Sequence, residues 1–343
     1  MTKQDYSYSG TTTSCYFDAP FNLLETLVPQ AQAILITDEH VFEHHPLLFA
    51  HWKTIVIKAG EVHKQQETVD YIIEQLIKLE ADRSYWIVGV GGGVVTDIAG
   101  YVGGIYMRGL NVGFVPTTIL AMVDAAIGGK NGVDVGVYKN ITGLIRQPQF
   151  LLYDYSLLAT LPESEWVNGF AEIIKHGAIK DRQMFDDLKV NSLSYYQTHH
   201  DALATLIQRN VEIKSTVVMH DEREQGERKL LNFGHTIGHA IENMYQLPHG
   251  HAISIGMVAA ASIAEEIANF SSDEKQQLIQ LLQQYKLPIQ HNVDIEKLFQ
   301  ILRMDKKRQK DAVHFILLEQ IGKAVIQSIP LVQLEQLLPM VME

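Results

Sequence analysis

Apolar strands that alternate with helices are the feature that most restricts the fold of the N-terminal half. Short runs rich in Val, Ile and Leu recur between helical segments, at residues 33–38, 53–58, 85–90, 110–115 and 150–154. Strands that are apolar throughout are typical of a parallel sheet covered on both faces. We therefore predict a parallel α/β domain, whose ligands bind at the carboxyl ends of the strands.

A glycine-rich turn follows the third of these strands and begins a helix. Residues 91–100 read GGGVVTDIAG. Three glycines let backbone amides approach a pyrophosphate, and a helix N-terminus favours its negative charge. The dinucleotide fingerprint G-x-G-x-x-G is incomplete, because Thr96 stands where the third glycine belongs. In the alternative interpretation the glycines serve packing only, and Asp97 is no more than a favourable charge in the first helical turn.

Lysines and glycines are mixed in the segment after the fourth strand. Residues 116–118 read PTT, residues 123–133 read VDAAIGGKNGV and residues 138–140 read YKN. This mixture in mostly apolar surroundings is unusual for a surface loop, and a buried lysine beside glycines suits a phosphate, a carboxylate or a cofactor amide. The alternative is that Lys130 and Lys139 are solvated.

The C-terminal half is predicted to be mainly helical, and a short hairpin is expected near its end. We place the domain boundary so that residues 1–157 form a Rossmann-like α/β domain and residues 158–343 a mainly helical domain. The predicted helices are residues 162–179, 203–219, 252–267, 272–285 and 331–340, and the predicted hairpin strands are residues 313–318 and 323–329.

One carboxylate in the first of these helices is poorly placed for solvent. Glu172 is flanked by apolar residues, and Lys175 and His176 follow it at i+3 and i+4, on the same helix face. A carboxylate in such surroundings needs a cation, either Lys175 or a metal ion.

Four of the 15 histidines lie within 17 residues, at positions 235, 239, 249 and 251. His235 and His239 are four apart in a helical pattern, so both imidazoles lie on one helix face. A Pro-His-Gly-His segment follows, which we interpret as a turn that folds back toward the same place. Imidazoles from a helix and a loop can together bind a divalent metal such as zinc. The alternative is a solvent-facing helix with incidental histidines.

Composition excludes some classes of function. A net charge of −12 argues against a broad attraction to nucleic acid or anionic membranes. The single cysteine, Cys15, rules out an internal disulfide and fits a reducing compartment. No secretory h-region and no apolar run of membrane-spanning length are evident. The 343 residues suffice for about two domains, and we expect a cytoplasmic protein.

Taken in order, the motifs resemble those of the 3-dehydroquinate synthases, in the sugar-phosphate cyclase superfamily. The resemblance runs from about residue 60 to residue 322. Its motifs are GEVHK (60–64), GGGVVTDIAG (91–100), YMRG (106–109), VPTTILAMVDAAIGGKNGV (115–133), KN (139–140), FAEIIKHG (170–177), LLNFGHTIGHAIE (230–242), HG (249–250) and MDKK (304–307).

The resemblance implies NAD and a divalent metal, zinc or cobalt, as cofactors. Its metal ligands carry over to Glu172, His235 and His249, whereas the spacing argument alone would nominate His239. In the family that histidine contacts substrate instead. Three protein ligands leave a position open for substrate oxygens, as a catalytic zinc requires.

The resemblance also implies two further sets of residues. The residues implied to contact NAD are Asp38, Glu61, Lys64, Gly92, Gly93, Asp97, Thr117, Thr118, Lys130, Lys139, Thr160 and Leu161. The residues implied to contact substrate are Asp124, Lys130, Asn140, Lys175, Lys214, Arg228, Asn232, His239 and Lys306. Arg108 resembles an arginine that reaches a phosphate across a dimer interface, which implies a homodimer.

One departure concerns the metal assignment. Most family members have His-Gly-Glu where this chain has His249, Gly250 and His251. In an extended segment His249 and His251 would point in opposite directions, so only one faces the metal. We favour His249.

The implied reaction converts 3-deoxy-D-arabino-heptulosonate 7-phosphate to 3-dehydroquinate and phosphate. NAD is reduced and reoxidised in each turnover, so the enzyme is a carbon–oxygen lyase of the shikimate pathway. One alternative is a sister cyclase such as 2-deoxy-scyllo-inosose synthase, which has Glu where this chain has Asn232. The others are a metal-dependent polyol dehydrogenase and a non-catalytic metal-binding protein.

Overall fold

The computed structural model describes residues 1–136, 138–304, 308–309 and 311–342. The described chain forms two compact units. Unit 1 comprises residues 1–165 and 204–223, and unit 2 comprises residues 166–203 and 224–343. We predicted that residues 1–157 bind NAD and that residues 158–343 bind metal and substrate. That assignment of ligands to the two parts of the chain remains a prediction.

Unit 1 contains a mixed sheet, and the predicted parallel strands form most of it. Its described strands follow the order β1-β2-β9-β6-β5-β3-β4, in which every neighbouring pair is parallel except β1 and β2. The strands of unit 1 are β1 (Thr2–Tyr8), β2 (Thr11–Phe17), β3 (Ala33–Asp38), β4 (Lys53–Ile57), β5 (Trp86–Gly91), β6 (Asn111–Pro116), β7 (Lys130–Val135), β8 (Tyr138–Ile145) and β9 (Phe150–Tyr153).

Short helices connect these strands, and the core lies between them and the sheet. Strand β3 is buried at Ala33 through Thr37, as expected for a strand covered on both faces. Helix α4 buries Val69, Ile72 and Leu76, which recur at helical spacing. The helices of the first 105 residues are α1 (Leu24–Leu27), α2 (Glu39–His44), α3 (Pro46–Phe49), α4 (Gln66–Lys78) and α5 (Gly93–Ile105).

Two parts of unit 1 differ from the sequence analysis. The N-terminal hairpin of β1 and β2 adds an antiparallel edge that was not predicted. No strand was predicted in the lysine and glycine segment, but β7 and β8 pair there as an antiparallel hairpin. Gly132 and Gly143 face one another at that pairing, where a Cβ on Gly132 would lie 2.6 Å from the Thr142 carbonyl oxygen. The glycines therefore permit close strand contact.

The remaining helices confirm the predicted helical half. They are α6 (Glu163–Lys180), α7 (Arg182–Val190), α8 (Leu193–Thr198), α9 (His200–His220), α10 (His235–Tyr245), α11 (His249–Ala268), α12 (Ser272–Gln284), α13 (Ile295–Met304) and α14 (Leu331–Val341). A small antiparallel sheet accompanies them, formed by β10 (Arg308–Gln309), β11 (Ala312–Gln320) and β12 (Lys323–Pro330).

Helix α11 is the central helix of unit 2. It packs against α10, α12, α14 and β11. By length and composition it is the helix of the described chain that could cross a membrane, but most of its apolar window is buried inside the protein. A core helix of a water-soluble fold has the same properties, so α11 is weak evidence for a membrane span.

Candidate active site

Close packing of α10 on α11 brings three histidines together in unit 2. A Cβ on Gly256 would overlap the carbonyl oxygen of Gly234, and Gly234 has φ 78°, which favours glycine. The two helices therefore approach to backbone contact. The rings of His235 and His249 have centroids 5.6 Å apart, and His239 lies 4.9 Å from His235.

Two imidazole nitrogens converge on one buried carboxylate. The Nε2 atoms of His235 and His249 lie 3.7 Å and 3.4 Å from Oε1 of Glu172, whose side chain is fully buried on α6. Lys175, one turn later, forms an ion pair with Oε2 of the same carboxylate. Both charges are removed from solvent, so the ammonium is stabilised by this carboxylate, and the carboxylate is stabilised by Lys175 or by a bound cation.

The opposite ring nitrogens are occupied, which directs the Nε2 atoms toward Glu172. Nδ1 of His235 lies 3.0 Å from the Phe233 carbonyl oxygen, so it donates a hydrogen bond there. Nδ1 of His249 lies 3.4 Å from Oε2 of Glu242. Such partners fix the tautomer that leaves Nε2 able to ligate a metal. Burial lowers the pKa of His249, but the hydrogen bonds to Glu172 and Glu242 outweigh it and raise the pKa to about 10.

The ligand atoms suit a metal ion. Those of Glu172, His235 and His249 all lie within 4.8 Å of one another, as do those of His239, Glu242 and His249. Two imidazoles and one carboxylate are a common ligand set of catalytic zinc. The structure thus brings His239 beside the predicted ligands, and both groups share His249.

The expectation of an extended Pro-His-Gly-His turn was wrong. His249, Gly250 and His251 form the first turn of α11, because the helix begins at His249. Two residues at about 100° each along a helix still point in roughly opposite directions. His249 and His251 therefore point in different directions because they lie on a helix, and not because the segment is extended. His251 is half-buried.

Arg228 and Asn232 precede the histidine helix. Both lie on a 3₁₀ helix, Glu227–Asn232, and Arg228 is 2% exposed. Asn232 donates hydrogen bonds through Nδ2 to Glu224 and to the Lys229 carbonyl oxygen. A buried guanidinium is well suited to a carboxylate or phosphate.

In unit 1, the glycine-rich turn lies at the carboxyl end of β5 and packs closely against neighbouring residues. Gly92 caps α5, and a Cβ there would lie 3.1 Å from Cγ2 of Thr118. A Cβ on Gly93 would lie 3.1 Å from Cβ of Ala125. The N-terminus of a 13-residue helix suits an anionic group such as a pyrophosphate.

A buried lysine lies at the centre of a charged network in unit 1. Lys64 is 4% exposed, and its Nζ lies 2.5 Å from Asp97 and donates to Oδ1 of Asn140 at 2.7 Å. Burial lowers the pKa of Lys64, but the carboxylates of Asp97 and Glu61 outweigh it, so the pKa is raised. Lys139 pairs with Glu61 at 3.6 Å. Five of the predicted ligand-contacting residues are thus brought together.

Other predicted residues lie at the carboxyl ends of strands. Asp38 ends β3 and accepts a hydrogen bond from the amide of Val41, which caps α2. Thr117 is buried directly after β6. Oγ1 of Thr160 lies 2.8 Å from Nε2 of His45. The sequence analysis did not single out His45.

Asp124 and Lys214 form a pair within unit 1. Nζ of Lys214 donates to Oδ1 of Asp124 at 2.7 Å and to its carbonyl oxygen at 2.8 Å. Asp124 lies in a short π-helix, Ala121–Ala125, a geometry that is frequent at functional sites.

Comparisons with known proteins identify the family of this chain. The 3-dehydroquinate synthase N-terminal family model matches residues 54–168, and the C-terminal model matches residues 169–308. The 3-dehydroquinate synthase of Saccharolobus solfataricus is 42% identical over 285 residues, which are 81% of this chain and 80% of that protein. That of Pyrococcus abyssi is 39% identical over 80% of this chain and 81% of its own. The chain belongs to the 3-dehydroquinate synthase family.

Solved structures of sister cyclases share the fold. A 2-deoxy-scyllo-inosose synthase with carbaglucose-6-phosphate, NAD⁺ and Co²⁺ bound has a TM-score of 0.86 at 26% identity, covering 98% of this chain and 99% of its own. A 2-epi-5-epi-valiolone synthase of Streptomyces hygroscopicus, with NAD⁺ and Zn²⁺ bound, has a TM-score of 0.86 at 25% identity, covering 99% and 98%. The family and the fold that the sequence predicted are confirmed.

The outcome differs for three further residues predicted from the family. Lys130 was expected to be buried, but it is exposed at the start of β7. Arg108 is exposed with φ 70°, after Met107 with φ 48°. Lys306 lies outside the described residues.

The sequence analysis missed two residues near the predicted metal ligands. Glu242 contacts His249, and Asn168 contacts the amide of Gly250. Glu242 follows His239 by three residues and His235 by seven, so helical spacing alone would have placed it on the histidine face. The pairing of Asn168 with Gly250 joins residues 82 apart, and no local pattern signals it.

Proposed function

We propose that this chain is a carbon–oxygen lyase that converts 3-deoxy-D-arabino-heptulosonate 7-phosphate to 3-dehydroquinate and phosphate. Membership of the 3-dehydroquinate synthase family supports the reaction. The observation that carries the proposal is the convergence of His235 and His249 on the buried carboxylate of Glu172.

A divalent metal would be held by Glu172, His235 and His249. The donor set fits zinc or cobalt, the ions named for the two solved cyclases. A cation at this position also balances the Glu172 charge inside the protein. His239 would then hydrogen-bond the substrate.

NAD would be held by the glycine-rich turn and the ends of the neighbouring strands. The turn suits a pyrophosphate because it supplies backbone amides at the N-terminus of α5. Asp38, at the end of β3, would accept hydrogen bonds from a ribose. The remaining proposed contacts are Glu61, Lys64, Asp97, Thr117, Thr118, Lys130, Lys139, Thr160 and Leu161.

The side chains of this protein would bind and orient a substrate with a phosphate and a carboxylate. When bound, NAD supplies a hydride acceptor and donor, and the metal supplies a Lewis acid that acidifies a hydroxyl. Lys175 and Lys214 are buried cations whose positions are fixed by Glu172 and Asp124. Fixed cations bind anions without the cost of ordering flexible side chains. Lys130, Asn140, Arg228, Asn232 and Lys306 complete the proposed substrate contacts.

We also propose a cytoplasmic homodimer in which Arg108 reaches the partner's substrate phosphate. Support comes from exposed apolar residues in the elements near Arg108, where β8 packs on α5 and Leu144 lies against Gly104. They are Ile105, Met107, Tyr138, Ile141 and Ile145, with relative exposures from 38% to 67%. Exposed apolar side chains that form a contiguous patch commonly mark an interface between proteins.

A product assay tests the function. The purified protein is incubated with NAD, zinc and the heptulosonate phosphate, and phosphate and NADH are measured together. We expect phosphate release without accumulation of NADH, because the cofactor is regenerated in each turnover. Accumulation of NADH with a simple polyol would instead identify a dehydrogenase.

A sister cyclase activity is the second candidate, favoured by the TM-score of 0.86 to a 2-deoxy-scyllo-inosose synthase. Glucose 6-phosphate in the same assay distinguishes the two. Turnover of glucose 6-phosphate but not of the heptulosonate phosphate would replace the proposed substrate while keeping the cofactors.

A further inference from the structure

We infer that Asn168 and Glu242 are positioning residues that set the direction of His249 and thereby the metal affinity of unit 2. The inference rests on the proposed metal site, and neither residue is proposed as a ligand. The two act on His249 at different points, Asn168 through the backbone and Glu242 through the ring.

Asn168 joins the start of α11 to α6. It lies one turn before Glu172 on α6 and is 8% exposed, and its Oδ1 accepts a hydrogen bond from the Gly250 amide at 2.5 Å. A Cβ on Gly250 would overlap the Asn168 carbonyl oxygen, so the two backbones are in contact. Because His249 is the neighbour of Gly250, this contact fixes its Cα relative to the helix that carries Glu172.

Glu242 fixes the ring of His249. Its side chain is 5% exposed on α10, and Oε2 lies 3.4 Å from Nδ1 of His249. With Nδ1 directed at Glu242, the other nitrogen, Nε2, faces Glu172 at 3.4 Å. The Phe233 carbonyl oxygen does the same for His235. Loss of such a partner typically weakens metal binding about 10- to 100-fold.

Glu242 could instead serve as a ligand, since its ligand atom lies within 4.8 Å of those of His239 and His249. The two roles predict different results. A positioning residue changes the affinity of one site and is replaceable by any hydrogen-bond acceptor of the same length. A ligand changes the stoichiometry or the coordination, and an amide is a poor replacement for it.

The experiment compares Glu242→Gln, Glu242→Leu and Asn168→Ala with the matched controls Glu266→Gln, Glu266→Leu and Asn243→Ala. Glu266 is exposed on α11, and Asn243 is half-buried on α10. Zinc affinity and stoichiometry are measured by competition with a chelator. The visible absorption of the Co²⁺ form reports coordination, and the melting temperature of the metal-free protein reports folding.

We expect about 10- to 100-fold weaker zinc binding for Glu242→Leu and Asn168→Ala. Glu242→Gln should stay close to the unsubstituted protein in affinity and in Co²⁺ spectrum, because the amide oxygen still accepts from Nδ1. The control variants should be unchanged. If Asn168→Ala does not fold, Asn168→Asp, which keeps an acceptor oxygen for the Gly250 amide, is compared with Asn168→Ser, whose shorter side chain withdraws it. Equal zinc affinity in these two variants would overturn the role of Asn168, whereas the Glu242 series decides the role of Glu242 alone.

Two results would overturn the inference. Equal affinity in Glu242→Leu and the unsubstituted protein would show that the ring needs no support. A changed Co²⁺ spectrum or stoichiometry in Glu242→Gln would make Glu242 a ligand. Failure of the proposed function is a separate result, in which the unsubstituted protein itself binds no metal or releases no phosphate.

Discussion

The histidine site of unit 2 and the glycine-rich turn of unit 1 are built in opposite ways. In unit 2 the working atoms belong to side chains, which converge on Glu172. In unit 1 the atoms proposed to bind NAD are backbone amides, in a turn where a Cβ on Gly92 or Gly93 would press on Thr118 or Ala125. Because of this difference, shortening a side chain should impair metal binding in unit 2, whereas adding a side chain to a glycine should impair NAD binding in unit 1.

The largest effect is expected from Glu172→Ala, which removes the carboxylate shared by both histidines. Metal binding and activity should be lost together. The free energy of unfolding should also fall by about 3–5 kcal/mol, because Lys175 loses the partner of a buried ion pair. Metal content, phosphate release and thermal unfolding are measured on one preparation. Glu163→Ala, at the exposed start of the same helix, is the control. A variant that retains stoichiometric metal would show that Glu172 is not a ligand.

His239→Ala should separate rate from metal binding. Its ring lies 4.9 Å from that of His235, yet the proposed ligands do not include it. We expect metal content to persist while kcat falls by about a hundredfold, the size expected for one positioned hydrogen-bonding group. The measurement pairs metal analysis with steady-state kinetics. If the substitution strips the metal instead, the ligand group is His239, Glu242 and His249.

The contrast between the regions also explains what the sequence could reveal. Spacing placed His235 and His239 on one helix face, but it could not distinguish between them. Their distances to other ligands depend on the approach of α10 to α11, which Gly234 and Gly256 permit from positions 22 apart. The resemblance to the family, rather than spacing, nominated His235 and His249, and their roles as ligands remain predictions.

Strands were predictable where they are apolar throughout. Strands β3, β5 and β6 were found within one residue because both their faces are buried. The hairpin of β1 and β2 was missed because its residues are largely polar. Its signal was a period of two, with Thr13, Cys15 and Phe17 buried and their neighbours more exposed. An edge hairpin that is half-buried gives a weaker pattern than a central strand.

Gly92→Ala tests the glycine-rich turn of unit 1 by adding one carbon to it. The new Cβ would lie 3.1 Å from Cγ2 of Thr118, so the turn must move by a few tenths of an ångström. We expect NAD affinity to fall about tenfold, or about 1.4 kcal/mol, while the fold persists. NAD binding is measured by fluorescence titration of the purified protein.

Gly177→Ala is the matched control for this substitution. Gly177 lies on α6, and a Cβ there would lie 3.3 Å from Cβ of Phe185 on α7. The substitution therefore requires a similar small shift of the packing, but at a place outside the glycine-rich turn. The control should retain NAD affinity. Equal losses in the two variants would mean that general packing, rather than access to the turn, limits NAD binding.

The smallest signal is expected from proton release when the metal binds. The pKa of His249 is raised from its ordinary value of 6.5 to about 10, because hydrogen bonds to Glu172 and Glu242 outweigh burial. In the metal-free protein this raised pKa stabilises the fold fully below pH 6.5, and the stabilisation is lost as the pH rises through about 10. At neutral pH a metal must therefore displace the proton from this ring.

Zinc binding should then release about one proton at pH 7, and zinc affinity should rise about tenfold per pH unit until the pH approaches the raised pKa. Titration calorimetry in buffers of different ionisation enthalpy measures the proton count. In unit 1, NAD affinity should lack this dependence at neutral pH, because backbone amides do not titrate there. Zinc affinity that is flat between pH 7 and pH 9 would show that His249 is already neutral in the metal-free protein. The two regions would then differ in whether side chains or backbone amides bind the ligand, but not in the pH dependence of that binding.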